Sequence, residues 1–182
     1  MAKSNDQIIY DVAISEGFNP TAAKLIVAQA RFESADYSSN VFKKNLNTSG
    51  MKFIGQPLAT RGTPAPANEQ RCGGGCDSDY YAKFRSVEDS AKDKISRLYN
   101  ITMRGVTPQQ LKNVNNADEF ASLLKKRGYY GAPENQYAAG LKAKVLRIQV
   151  VEFVTKNKNM LLIGLGLLAL AGAYYLYTKS KK

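Results

Sequence analysis

The chain has 182 residues, a formal net charge of +11, 44% hydrophobic residues, two cysteines and no histidine. This is one domain's length with room for an appendage, and enough apolar material for a core. The missing histidine excludes His-based catalytic triads, HExxH metalloenzymes and most zinc sites, and two cysteines cannot complete a four-ligand metal site. No metal or cofactor is expected, and any reaction must be carried by carboxylates, tyrosines, lysines or hydroxyls.

In chain order the pattern is mostly helical. The opening MAKSNDQIIYDVAISEG has no apolar run of signal-peptide length. SNDQIIYDVAISEGF has polar N-cap candidates and apolar positions at Ile8, Ile9, Val12 and Ala13, and it ends at Gly17. NPTAAKLIVAQARFES begins a second helix, with Asn19 as cap and Pro20 at the first helical position. It runs through three apolar turns to Phe32 and Glu33. A carboxyl there sits at the edge of a core, where burial disfavours the charged form and so suits a general acid. A surface glutamate paired with Arg31 or Lys83 is the plainer alternative.

Between Ser38 and Arg85 lie most of the turn formers, including GTPAPAN and RCGGGCDSD, which predicts loops and a small hairpin. Cys72 and Cys76 bracket GGG, flexible enough to close a small disulfide loop; in a reducing compartment they would remain free thiols. SVEDSAKDKISRLYN predicts a helix opened by Ser86 with Asp89 three residues on. NADEFASLLKKRG predicts another, with a cationic last turn and Gly128 as its stop. A further helix is expected over PENQYAAGLKAKVLRIQVVEFVTKN.

The final segment carries the strongest single feature, MLLIGLGLLALAGAYYLY from Met160 to Tyr177, eighteen residues without a charge. At about 1.5 Å per residue it reaches roughly 27 Å, close to the hydrocarbon thickness of a bilayer. Lysines flank it and Tyr174, Tyr175 and Tyr177 gather at one end, as at a membrane interface. The expectation is a domain over residues 1–155 and a membrane anchor over 156–182. Five of the lysines fall in that tail, and elsewhere basic residues are scattered among acidic ones, so no nucleic-acid face is expected.

Four words in order, AQARFES, NLNTSGMKF, YAKFRSVEDSAKDKI and GYYGAPENQYAAGL, resemble the motifs of bacterial and phage glucosaminidases that cut peptidoglycan, the type fused to flagellar rod-cap proteins and autolysins. The resemblance runs from about Ile8 to Leu146. It implies a mainly α, lysozyme-like α+β domain with a small hairpin and loop lobe. It also implies that Glu33 is the catalytic acid and that Tyr129 lines the site to orient the substrate's N-acetyl group or a water. Tyr137 matches the second tyrosine of the pattern, in substrate contact or in core packing. Asn45, Gly50, Met51 and Lys52 resemble the turn that faces the substrate, although NLNTSGMK is longer than the usual form. Phe84, Ser86, Ser90 and Asp93 fit the next motif as capping and packing residues.

The second carboxylate is left open among Asp36, Glu69, Asp77 and Asp79, with Glu69 preferred. A retaining hydrolase needs its carboxyls about 5 to 5.5 Å apart and an inverting one about 6.5 to 9.5 Å. Catalysis through the substrate's own N-acetyl group, or 1,6-anhydro closure as in a lytic transglycosylase, requires no second acid. Together these features lead us to expect a muralytic enzyme whose partners are glycan strands and, through residues 160–177, a lipid bilayer. A domain left initially on the cytoplasmic side suits the internal membrane of a bacteriophage, where capsid proteins become further partners. A non-catalytic protein linking bilayer to capsid is the alternative from another class.

Overall fold

The computed structural model describes residues 3–156, so the apolar run at 160–177 lies outside the described residues. Among the described residues no helix is long and apolar enough to cross a membrane. Two units divide the chain, 1–145 and 146–182. The first holds the fold described below; the second is described only to Lys156, as the last turns of a helix.

Helices α1 (Asn5–Ser15) and α2 (Pro20–Glu33) open the domain as their caps predict. The Ser4 side chain accepts the Gln7 N–H, and Asn19 Oδ1 accepts the Ala22 N–H, each satisfying an amide that the first helical turn leaves orphaned. Gly17, at φ +84°, reverses the chain between them. From Ala22 to Ala30 α2 is buried almost throughout, sparing only Lys24. Its alanines let neighbouring elements approach closely from several sides, which makes it the central rod of the domain. Helix α1 packs against α2 and against α4 (Val87–Lys94), and α2 also meets α6 (Ala117–Lys126).

The expected loop lobe contains a short helix α3 (Asn40–Asn45) and a two-stranded antiparallel sheet, β1 (Ala59–Pro64) with β2 (Tyr80–Phe84). Ala59 pairs with Phe84 and Arg61 with Ala82, and the register shifts before Pro64 meets Tyr80. The connection is a fifteen-residue excursion with two short 3₁₀ turns, at 67–69 and 77–79, in keeping with the loops and small hairpin expected there. Both α3 and α4 pack on this sheet.

The segment predicted as one helix from Ser86 splits into two. After α4 a π turn spans Ile95–Tyr99, a wider winding that redirects Tyr99 into the core. Helix α5 (Pro108–Lys112) was not anticipated, yet its signal is present: Thr107 and Gln110 form a reciprocal capping box around Pro108. Asn19 ties it down, accepting nothing from α5 but donating its backbone N–H to the Lys112 carbonyl (2.9 Å) and its side-chain amide to the Val114 carbonyl (3.1 Å). Helix α6 ends at Gly128 (φ +75°), and α7 (Glu134–Lys156) follows.

Gly62 on β1 shows how tightly the lobe is closed. A Cβ there would fall 2.6 Å from Asn45 Oδ1 and 2.7 Å from the Tyr81 carbonyl oxygen, the latter fixed in the paired strand. Gly62→Ala is therefore expected to lower stability by about 1–3 kcal/mol through overpacking, read as a lower urea midpoint at unchanged slope.

Candidate active site

Glu33 is the last residue of α2, half-buried, and the chain departs from the helix immediately after it. Ala35, Asp36 and Tyr37 all adopt left-handed backbone angles, φ +51°, +54° and +65°. None is a glycine, so the conformation is costly and must be held from outside. Ser34 Oγ donates to the Ala30 carbonyl (2.6 Å) and accepts the Tyr37 N–H (3.0 Å), and the Asp36 N–H reaches back to the Arg31 carbonyl (2.7 Å). Side chains complete the clamp. Arg31 engages Asp6 of α1 through both Nε and Nη2, Tyr37 donates its hydroxyl to the same carboxylate (2.7 Å), and Asp36 pairs with Arg31 and with Lys144 of α7.

A chain of hydrogen bonds leads into Glu33 from the core. The Tyr99 hydroxyl donates to Gln29 Oε1, Gln29 Nε2 donates to the Tyr137 hydroxyl (2.8 Å), and that hydroxyl donates to Glu33 Oε1 (3.4 Å). Gln29 lies one helical turn before Glu33 and is fully buried, as is Tyr99. The Tyr129 hydroxyl also interacts with Glu33. Burial, followed by the Glu33 charge, holds the Tyr129 phenol well above its ordinary value, so it stays a hydrogen-bond donor. Burial and Glu33 push Tyr137 the same way.

The loop after α6 fixes these tyrosines. Gly128 permits the helix stop from which the Tyr129 N–H returns to the Leu124 carbonyl (3.0 Å), and Lys125 Nζ donates to the carbonyls of Gly131 and Ala132. Tyr130 stacks on Tyr137 with centroids 3.9 Å apart, and Phe32 meets Tyr137 edge-on at 5.6 Å. Gly140 of α7 leaves room for that Phe32 ring, since a Cβ there would lie 2.7 Å from it. Lys94, at the end of α4, completes the surroundings. Its ammonium is buried without a hydrogen-bond partner, and burial pushes it down to about 8 against the opposing pull of Glu33.

The remaining residues singled out from sequence occupy different positions. Asn45 is 1% exposed, and its amide is spent inside the protein, donating to Thr63 Oγ1 (2.7 Å) and accepting the Thr63 N–H (3.2 Å). That corrects its reading as a substrate contact: it ties α3 to β1. Met51 contributes through its backbone, its carbonyl accepting from Ala82 N–H (2.9 Å) and from Asn47 Nδ2 (2.8 Å). Asn47, which the sequence reading passed over, clamps this turn by also accepting the N–H groups of Ser49 and Met51. Ser86 caps α4 and Ser90 Oγ accepts the Thr48 N–H (3.1 Å), the structural roles expected of that motif.

Each candidate for a second acid has partners of its own. Glu69 lies on the lobe, where Lys52 Nζ (2.7 Å) and the Tyr81 hydroxyl (3.0 Å) hold its carboxylate and depress its pKa. Asp36 belongs to the clamp above, and Asp77 pairs with Arg61. Asp79 is fully buried; burial alone would raise its carboxyl, but backbone N–H groups of Arg71, Gly74 and Cys72 outweigh it and keep the pKa low. Cys72 and Cys76 form a disulfide with Cα atoms 5.7 Å apart. Their sulfurs and the Asp79 carboxylate lie within 4.8 Å of one another. With the sulfurs joined and the carboxylate occupied by backbone amides, these groups act as a loop clamp rather than a metal cage.

A half-buried acid at the end of a core helix, flanked by two phenol donors, is equipped to deliver a proton to an oxygen leaving group. The family model described as "Glucosaminidase: Mannosyl-glycoprotein endo-beta-N-acetylglucosaminidase" matches residues 7–149. The chain belongs to this glucosaminidase family. No curated protein sequence matches it. Among solved structures it is similar to one titled as a type VI secretion system effector-immunity complex from Pseudomonas protegens, at 16% identity over 78% of this chain and 88% of that one, with a TM-score of 0.51. It is likewise similar to the catalytic domain of the autolysin Auto from Listeria monocytogenes, at 18% identity over 84% of this chain and 89% of that one, TM-score 0.50. These likenesses establish a shared fold, mostly helical with a two-stranded sheet, in keeping with the lysozyme-like expectation.

In this glucosaminidase Tyr137 serves both the core and Glu33. Tyr137→Phe leaves Gln29 Nε2 buried without an acceptor and is expected to cost about 1–3 kcal/mol, measured by equilibrium denaturation.

Proposed function

We propose that this glucosaminidase is a peptidoglycan-cleaving glycosidase in which Glu33 is the general acid. The observation that carries the reading is the Glu33 carboxyl itself, half-buried at the end of α2 and wired to Tyr137 and Tyr129. Glu33 gives its proton to the glycosidic oxygen as the C1–O bond breaks, and the bonding pair leaves with that oxygen. Tyr129 holds the carboxyl in line and offers its hydroxyl to the N-acetyl group or an incoming water. The ion pairs and backbone bonds that occupy Glu69, Asp36, Asp77 and Asp79 favour a mechanism with one protein acid. The second role then falls to the substrate's acetamido oxygen or to its own 6-hydroxyl.

The reading is tested by turbidity loss of purified peptidoglycan with the full chain. Glu33→Gln is expected to abolish clearing. Tyr129→Phe should lower turnover by about 10²-fold, the lower range for a lost proton-transfer or orienting group, with little change in Tm. Clearing by Glu33→Gln at the wild-type rate would remove Glu33 from the mechanism. Reducing-end products indicate hydrolysis, and 1,6-anhydro ends indicate a transglycosylase.

The apolar run at 160–177 supports a tether to a bilayer, and with it the reading of a bacteriophage protein held in an internal or host membrane. A tethered domain facing the cytoplasm is cleaved by protease in inverted vesicles and spared in spheroplasts; the opposite pattern would mark a surface-anchored wall hydrolase.

A further inference from the structure

Among the described residues, Lys94 is a buried charge that neither packing nor the reaction so far explains. Its side chain is 1% exposed, and its ammonium, buried and without a hydrogen-bond partner, does not snorkel to water as lysines usually do. Removing an ammonium from water with nothing to replace its hydration is costly, so this residue works against stability. A methionine would fill the same volume without that penalty.

The surroundings point to what offsets the cost. Lys94 ends α4 on the same inner face as Val87, Ser90 and Ala91, and the π turn that follows carries Tyr99 toward Gln29. Glu33 acts on this ammonium, and Glu33 is in turn joined through Tyr137 and Gln29 to Tyr99, with Arg127 and Tyr129 acting on that chain. The charge that acts on the ammonium is that of Glu33. The neighbouring acid, Asp93, feels Arg97 and Gln56, and its own Oδ2 is buried without a hydrogen-bond partner.

We propose that Lys94 is a positioning residue for the proton transfer, its buried ammonium stabilising the carboxylate that Glu33 becomes as it protonates the leaving oxygen. The inference rests on Glu33 being the acid. When the C1–O bond breaks and its electron pair departs with the oxygen and the Glu33 proton, a negative charge is left at the rim of a low-dielectric interior. A fixed cation there lowers the energy of that state more than of the neutral carboxylic acid before it. When water adds at C1 and returns a proton to Glu33, the resting pairing is restored.

The test is Lys94→Met in the full chain, with Lys94→Arg as the charge-retaining control. The Glu33 carboxyl carbon, followed by NMR against its Glu33→Gln assignment control, should titrate at least about half a pH unit higher in Lys94→Met and return toward the wild-type midpoint in Lys94→Arg. Turnover on peptidoglycan should fall about tenfold at neutral pH in Lys94→Met, the change that one pK unit of lost differential stabilisation produces, and the alkaline limb of its pH profile should move upward.

Stability should change in the opposite sense. A lysine whose folded pKa is about 8, below the ordinary 10.5, binds its proton more weakly folded than unfolded. Its penalty is full below pH 8 and fades as pH rises toward 10.5. Lys94→Met should accordingly melt higher than wild type at pH 7, with the gap closing by pH 10. An unchanged Glu33 midpoint, or a raised midpoint with unaltered turnover, overturns the proposal. Should the wild-type chain clear no wall at all, the muralytic reading fails, and the Glu33 midpoint still decides whether Lys94 acts on this carboxyl.

Discussion

The hydrogen-bond chain from Tyr99 through Gln29 and Tyr137 to Glu33 is the interaction on which the rest of this domain turns. Its members come from the π turn, the central helix α2 and α7, so closing it requires all three to be in place. A buried glutamine amide must have both ends satisfied, and here its oxygen and nitrogen are answered by two phenols whose own hydroxyls are each committed to one arrangement. The same geometry that meets that requirement delivers a hydroxyl to the Glu33 carboxyl. Core satisfaction and site construction are one event, and Tyr137 belongs to both.

The end of α2 adds a second constraint. Three successive non-glycine residues with positive φ do not persist on local preference, and the network of Asp6, Arg31, Asp36 and Lys144 provides the restraint. The strained turn ends the helix abruptly at Glu33, so the carboxyl stands at the helix terminus instead of being covered by another turn. Strain of this kind concentrates at functional positions because only an over-determined environment sustains it. Lys94 is buried in the core, and Tyr137 of α7 donates its hydroxyl to the Glu33 carboxyl. The carboxyl is thus surrounded by groups whose positions are fixed by packing.

In the small lobe, polar residues that look chemical are instead structural. Asn45, Asn47 and Asp79 each bond several backbone or hydroxyl groups, and each holds a loop too short of apolar residues to hold itself. With the Cys72–Cys76 disulfide they replace a hydrophobic core in a segment rich in glycine and proline. Glu69, with Lys52 and Tyr81, forms a charged cluster on the same lobe.

Local chemistry made part of this protein legible from sequence. Ser4, Asn19, Ser86 and Asn116 announce their helices because capping is satisfied within three residues, and Gly17 and Gly128 mark their ends because no other residue adopts those angles cheaply. The four motif words in order brought Glu33, Tyr129 and Tyr137 forward, and the structure does place those three together. Tertiary structure alone decided the rest. Gln29 and Lys94 read as an ordinary glutamine and an ordinary surface cation, since nothing in their neighbours reveals burial that depends on the π turn after α4. The left-handed turn at 35–37 has no glycine to signal it, because its restraint comes from residues 25 to 108 positions away. Asn45 reads as a substrate contact and is buried instead, for the same reason: whether a polar side chain faces substrate or another strand is set by long-range pairing, which sequence spacing does not encode.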